Sequence, residues 1–180
     1  AGNGMGYAVN EVLTVGDGSS KPNGIVTASG LGGTGATGVT GAFTADDLIS
    51  LIYSVDSATR RKPSMALMMN TTSIGAARKL KDTAGNYLYN ISQVGPGGQD
   101  TFAGFNVVEN PHMADAAVDA KSVVAGSLDS YKVRLAGGLD VASSTDFAFQ
   151  NDLTTWRFTM RLDGDLTSNT EIKHFVGGAS

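Results

Sequence analysis

The stretch Leu153–Leu162 constrains this chain more than any other. Trp156, Phe158, Met160 and Leu162 share one parity, and Thr155, Arg157, Thr159 and Arg161 share the other. Strict alternation puts the two sets on opposite faces of an extended strand. Ten such residues span about 33 Å. A strand of that length presents a row of backbone donors and acceptors that need partners. Asp163-Gly164 follows at once and reads as a hairpin turn. The returning stretch, Asp165 to Thr167, is short before Ser168-Asn169-Thr170 interrupts it. The long strand therefore outruns its nearest partner. Its remaining partner is expected from upstream sequence or from another subunit.

The other elements are shorter. Thr44-Ala45-Asp46-Asp47 has the spacing of a capping box, with Asp in place of the usual Glu. Leu48, Ile49, Leu51, Ile52 and Val55 then recur at helical spacing. Arg60, Arg61 and Lys62 suit the negative end of that helix, and Pro63 stops it. Met65 to Met69 is apolar at both parities, which predicts a strand buried on both faces. A second helix is predicted from Thr72 to Lys81, with Ile74, Ala77 and Leu80 inward and Asn70 as its cap. Asp82 to Asn86 reads as a turn. Strands are predicted at Phe102–Val108, Ser122–Ala125, Tyr131–Leu135 and Glu171–Val176. Tyr7 to Leu13 reads as the last turns of a helix. A turn cluster at Gly16–Gly24 leads to a short strand at Ile25–Ala28, then to a flexible Gly/Thr/Ala-rich loop at Ser29–Gly41.

Glycine accounts for 24 of 180 residues, nearly twice the usual share of about 7%, so a long helical bundle is disfavoured. The net charge of −4 argues against a dedicated DNA binder, which needs a basic face. Cysteine is absent, which removes disulfides and thiolate metal sites. No apolar run approaches the ~20 residues of a membrane helix. The residues from Ala1 to Tyr7 lack the basic start and apolar centre of a signal peptide, and the missing initiator Met suggests a processed chain or a fragment.

Motifs for chemistry are weak. Gly30-Leu31-Gly32-Gly33-Thr34-Gly35 spells the dinucleotide fingerprint, but about nine residues separate it from the helix whose N-terminus would hold the pyrophosphate. Asp163, Asp165 and Thr167 resemble the start of a calcium loop, yet Gly164 is misplaced and His174 stands where Glu is required. His112 and His174 are the only imidazoles, and both read as packing or surface groups. Asn70-Thr71-Thr72 and Asn90-Ile91-Ser92 spell sequons without a secretory context. Arg60-Arg61-Lys62 reads as a solvated helix end before it reads as a nucleic-acid contact. No catalytic, cofactor or metal residue is assigned, and the chain is read as a non-enzyme.

Several phrases, in order, resemble one family. Gly16-Asp17-Gly18 through Pro22-Asn23-Gly24-Ile25 is similar to an exit from a long spine helix. Asp47 to Ser54 resembles the first helix of an axial domain. Met68-Met69-Asn70, then Arg78-Lys79-Leu80-Lys81-Asp82 and Gly85-Asn86-Tyr87-Leu88, resembles a strand, helix and turn in sequence. Gly104-Phe105-Asn106-Val107-Val108 looks like the next strand, with Asn106 where proline is usual. Gly126 to Tyr131 resembles a following turn, with the aspartate shifted. Arg157 to Gly164 resembles a closing hairpin. These phrases resemble the major capsid proteins of tailed phages, with the Hong Kong ninety-seven fold, from about Val9 to Val176.

The resemblance implies an α+β fold: an axial domain of a small mixed sheet flanked by helices, plus part of an elongated peripheral domain with a long β-hairpin. It implies residues 1–41 as the spine end, turn and glycine loop, 42–137 as the axial domain, and 138–180 as peripheral strands. It implies a fragment without the N-terminal arm, the extended loop and most of the spine helix. The implied function is a structural subunit of an icosahedral phage or prophage capsid. Copies would form hexamers and pentamers around non-specifically packaged DNA, in a virion assembled in the bacterial cytoplasm, with no cofactor and no membrane partner. Flexible loops at Ser29–Gly41 and Gly95–Gly98 would adjust the contacts. Arg157, Arg161 and Asp163 are the candidate subunit-interface residues, with solvated strand residues as the alternative. Some members cross-link through a lysine and an asparagine. Asn151 lies near the matching place, although the lysine-bearing loop is not among these residues. The alternatives are a bacterial nanocompartment shell of the same fold, a nucleotide-binding enzyme using Gly30–Gly38, and an all-β adhesin or tail-tube module.

Overall fold

The computed structural model describes residues 2–36, 43–81, 84–87 and 100–178. The predicted loop at Gly95–Gly98, the sequon at Asn90, and parts of the loop at 29–41 and the turn at 82–86 lie outside them. The order is α1 (Gly2–Val15), α2 (Ile25–Ala28), β1 (Gly30–Thr34), α3 (Ala45–Ser54), α4 (Ser57–Arg60), β2 (Met65–Met69) and α5 (Thr71–Arg78). Then follow β3 (Thr101–Phe102), β4 (Phe105–Glu109), β5 (Lys121–Ser127), β6 (Tyr131–Ala148), β7 (Leu153–Leu166) and β8 (Ile172–Val176). Six strands form one mixed sheet in the order β1-β8-β5-β2-β4-β3, and β6 and β7 form a separate two-stranded ribbon.

The sheet is covered on both faces, as the MALMM pattern requires. All five residues of β2 are buried, with β4 parallel on one side and β5 antiparallel on the other. One face packs Met65, Leu67, Met69, Val123, Ala125 and Phe175 under Leu48, Leu51 and Ile52 of α3 and Ile74 and Ala77 of α5. The opposite face packs Met68, Val124 and Ile172 against Ile25 and Val26 of α2 and Met113. Helix α3 starts where the capping box predicts: the Asp47 amide donates to the Thr44 hydroxyl oxygen, and the Thr44 amide donates to the Asp47 carboxylate. Asn70 caps α5 by accepting from the Ser73 amide.

Five local expectations are corrected. Ile25–Ala28 is a helical turn, not a strand, because consecutive Ile25 and Val26 both face the lower core. Gly30–Thr34 is an edge strand parallel to β8, not a loop. The helix from Thr44 does not run to Lys62. It stops at Ser54, and Asp56 caps a separate turn, Ser57–Arg60, by accepting from the Ala58 amide. The predicted strand Phe102–Val108 is a tight hairpin. Ala103 and Gly104, with φ of 50° and 85°, form the two-residue turn between β3 and β4. Asp163-Gly164 is not a turn but mid-strand, opposite Arg134 and Val133.

The last correction answers the partner problem. The long strand pairs with upstream β6, from Tyr131↔Leu166 out to Ala148↔Leu153. The ribbon's turn is the 3-10 segment Phe149–Asn151 followed by Asp152. Strands of the main sheet come from residues 30–34, 65–69, 101–109, 121–127 and 172–176, so the sheet draws on all three segments expected from the sequence.

Candidate assembly surface

The ribbon is the structure's exceptional feature. A two-stranded hairpin is marginal in water unless something covers one face. The register puts Tyr131, Val133, Leu135 and Val141 on one face with Trp156, Phe158, Leu162 and Leu166. The other face carries Lys132, Arg134, Asp140, Arg157, Thr159, Arg161, Asp163 and Asp165. Near its root, the apolar face meets α1: Met5, Val9 and Val12 form a groove with Phe158, Met160 and Leu162. Farther out nothing among the described residues covers it. Trp156 is 59% exposed, Val141 45% and Phe147 84%.

The root is pinned from two sides. On one side, the Asn23 amide donates to the Gly164 carbonyl at 3.0 Å and its side-chain amide donates to Asp165 at 2.9 Å. Tyr131 donates its hydroxyl to the Asn23 carbonyl at 2.9 Å. Burial, then Asp165 and Asp163, pushes that phenol up to about 12. The turn carrying Asn23 is itself held by Asp17, whose carboxylate accepts from the amides of Ser19, Ser20 and Lys21. Those bonds, with the Ser20 hydroxyl, lower the Asp17 carboxyl to about 2. On the other side, Glu171 accepts from the Ser130 hydroxyl and from Lys62, whose ammonium is 3.0 Å from both oxygens. The Ser130 bond, then Lys62, holds the Glu171 carboxyl below its ordinary range.

Helix α1 is docked separately on the sheet. The Asn10 side-chain amide donates to the Asn110 oxygen at 3.0 Å, and the Asn110 amide donates to the Thr14 hydroxyl at 2.8 Å. Thr14 is 2% exposed. The His112 ring lies edge-on to Tyr7, with centroids 4.1 Å apart. Asn23 entered the sequence reading only as part of the spine-exit phrase, and neither the docking role of Asn10 and Asn110 nor the pinning role of Asn23 was expected. Nothing in the local sequence marks those roles, because the partners lie as many as 142 residues away.

The sequence-predicted residues fall as follows. Arg157 and Arg161 project from the polar face, are exposed, and have no ion-pair partner among the described residues. Asp163 lies on the same face opposite Arg134, and accepts from the Gly164 amide at 2.9 Å. Asn151 is exposed at the ribbon tip, remote from the three. Sequence reasoning read the β7 half of the apolar face in Trp156, Phe158, Met160 and Leu162, but ended the partner strand at Leu135 and so missed Val141. Its signal is weak: beyond the predicted Tyr131–Leu135 strand, Val141 keeps the parity of Val133 and Leu135. His174 is buried, as a packing residue should be. The glycine fingerprint lies in and just beyond β1, not at the start of a helix, and so forms no phosphate cradle. No cluster of metal-ligating side chains occurs among the described residues.

A sequence model of the phage capsid family matches residues 1–177. This chain belongs to the phage capsid family. No curated protein matches it. The phage capsid fold is shared with solved structures. The capsid of an empty GTA particle, computed with C5 symmetry, superposes with a TM-score of 0.81 at 24% identity, over 99% of this chain and 64% of that one. A chain of Mycobacterium phage Cain gives 0.63 at 17% identity, over 99% and 63%. The holo-SrpI encapsulin complex from Synechococcus elongatus PCC 7942 gives 0.64 at 15% identity, over 96% and 61%. The chain thus spans less than two thirds of the length of each. At these identities the likeness is one of fold, and it is the α+β fold that the sequence resemblance implied.

Proposed function

We propose that this chain is part of a structural, non-enzymatic subunit that builds an icosahedral phage or prophage shell around DNA. Copies associate as hexamers and pentamers, and the shell assembles in the bacterial cytoplasm to become the virion wall. The observation that carries this reading is the capsid-family match along residues 1–177. A physical argument supports it. A ribbon with one uncovered apolar face is poorly suited to a monomer and well suited to repeated contacts between copies. In this reading the six-stranded sheet with α3, α4 and α5 is the axial body, and the ribbon with α1 and the 16–24 turn is the peripheral part. Electron microscopy of the full-length product after expression tests it. Closed shells or rings of capsomers are expected, and a uniformly monomeric product would end the proposal.

A nanocompartment shell is the second reading, favoured by the fold likeness to the SrpI encapsulin complex. Particles that contain a packaged protein and no nucleic acid would select it.

The exposed guanidinium groups of Arg157 and Arg161 suit carboxylates on a neighbouring copy, because Arg forms directional pairs with them. Replacing both with alanine in the full-length protein is expected to lower particle yield and heat resistance. Unchanged particles would remove both residues from the interface, and Asp163→Ala, read in the same way, tests the carboxylate on that face. In this reading Asn151, exposed at the ribbon tip, meets a neighbouring copy. A covalent ladder on a denaturing gel that Asn151→Ala abolishes would assign it a cross-link.

A further inference from the structure

The two ends of the ribbon are complementary in charge. Toward the tip, residues 141–156 hold Asp146 and Asp152 and no Lys, Arg or His. Arg157, the next base along β7, lies opposite Ala142. Both carboxylates are exposed and flank Phe147, the most exposed large hydrophobic side chain among the described residues. At the root, the groove between α1 and β7 is open, has mostly apolar walls and encloses about 500 Å³. Lys21 and Arg161 are the charged residues that line it. Both are exposed, and neither has an ion-pair partner among the described residues. Asp17, on the same turn as Lys21, is engaged by the amides of Ser19, Ser20 and Lys21. Asp140 and Asp163 share the polar face with Arg161 without pairing to it.

The tip does not reach its own groove. Ala148, beside Phe147, pairs with Leu153, which lies seven residues along β7 from Met160 in the groove wall. About 23 Å of continuous strand therefore separates them. Nor does a tip suit another tip, because that contact sets Asp146 and Asp152 against their own copies. The cationic rim of another copy's groove offers the opposite sign, and its apolar walls offer cover for an aromatic anchor.

We propose that Phe147 of one copy seats in the α1–β7 groove of a second copy, with Asp146 and Asp152 set against Lys21 and Arg161 of that copy. This rests on the shell reading and names the surface that the ribbon tip meets. The two surfaces differ, so the contact is heterologous: each copy offers one tip and one groove, and rotation about an axis closes such contacts into a ring. A seated aromatic side chain buries about 150–250 Å². The charge pairs fix its orientation and reject the tip-to-tip alternative.

Charge exchange in the full-length protein tests the contact, with particle yield on a gradient as the readout and thermal denaturation of the isolated subunit as the check on folding. The tip variant is Asp146→Lys with Asp152→Asn, asparagine being the choice because residue 152 has a φ of 51°. The groove variant is Lys21→Glu with Arg161→Glu. Each is expected to lower yield at least about tenfold, and the four substitutions together to return it to within about threefold of wild type. Wild-type yield from either variant, or no recovery in the combination, overturns the contact and leaves the shell reading standing, because the wild type still assembles. A uniformly monomeric wild type ends both. Should the combination fail to fold, Asp146→Lys with Arg161→Glu is read in the same way against its two single variants.

Discussion

Serine at both Phe147 and Trp156 should abolish particle formation while leaving the subunit folded. The two rings are 84% and 59% exposed and line the outer ribbon, beyond the groove formed with α1. Substitutions at such exposed positions usually move stability by less than about 0.5 kcal/mol. Covering these rings in an assembly would bury about 300 Å² of apolar surface per copy. At about 25 cal/mol per Å² that contributes roughly 8 kcal/mol before the costs of association. The measurements are thermal denaturation of the isolated subunit and particle yield on a gradient. A yield drop of at least about tenfold with an unchanged melting temperature is expected. Normal particle yield would show that the outer apolar face is not a contact between copies.

Gly126→Ala should be the most damaging single-methyl change in the main sheet. A β-carbon there would lie 2.3 Å from the Glu171 carbonyl oxygen and 2.7 Å from the Ile172 α-carbon. Both are backbone atoms, so no side-chain rotation relieves the clash. Gly126 pairs with Ile172 across β5 and β8, and the pairing itself has to give. A loss of about 3 kcal/mol or more is expected, a large part of a typical 5–15 kcal/mol total. Gly75→Ala is the internal control. Its β-carbon meets nothing within 4 Å, and it lies in α5, so alanine should stabilise by up to about 1 kcal/mol. Chemical denaturation reads both. Equal stabilities for the two variants would contradict the β5–β8 packing described above.

What was legible in the sequence was what side chains encode locally. Thr44 and Asp47 mark a helix start because the capping bonds span three residues. Met65–Met69 announces a central strand because both its faces need apolar cover. The alternation from Thr155 to Leu162 announces an elongated strand. What was illegible depends on distant partners. Three of the five residues of β1 are glycine, so no side-chain period reports it, and the β8 backbone recruits it. Ile25–Ala28 is too short for period to decide, and the lower core chose the helical turn. Asp163-Gly164 carries a turn signal, yet Gly164 serves a close approach: a β-carbon would lie 2.5 Å from the Tyr131 hydroxyl and 3.1 Å from Leu13. At the candidate surface, Arg157 and Arg161 were visible as one face of a strand. The apolar stripe on β6 was visible only as far as Leu135, because Gly137 and Gly138 interrupt it where the register shifts between Ala136 and Asp140.

The two pins at the ribbon root make it a lever. Fourteen residues of β7 reach about 46 Å from a fulcrum held by Asn23 on one side and Glu171 on the other. Tilting the arm by about 5° sweeps Asn151 and Phe147 through roughly 4 Å at that reach. Angular tolerance at a few hydrogen bonds is thereby magnified into a choice of landing site at the far end.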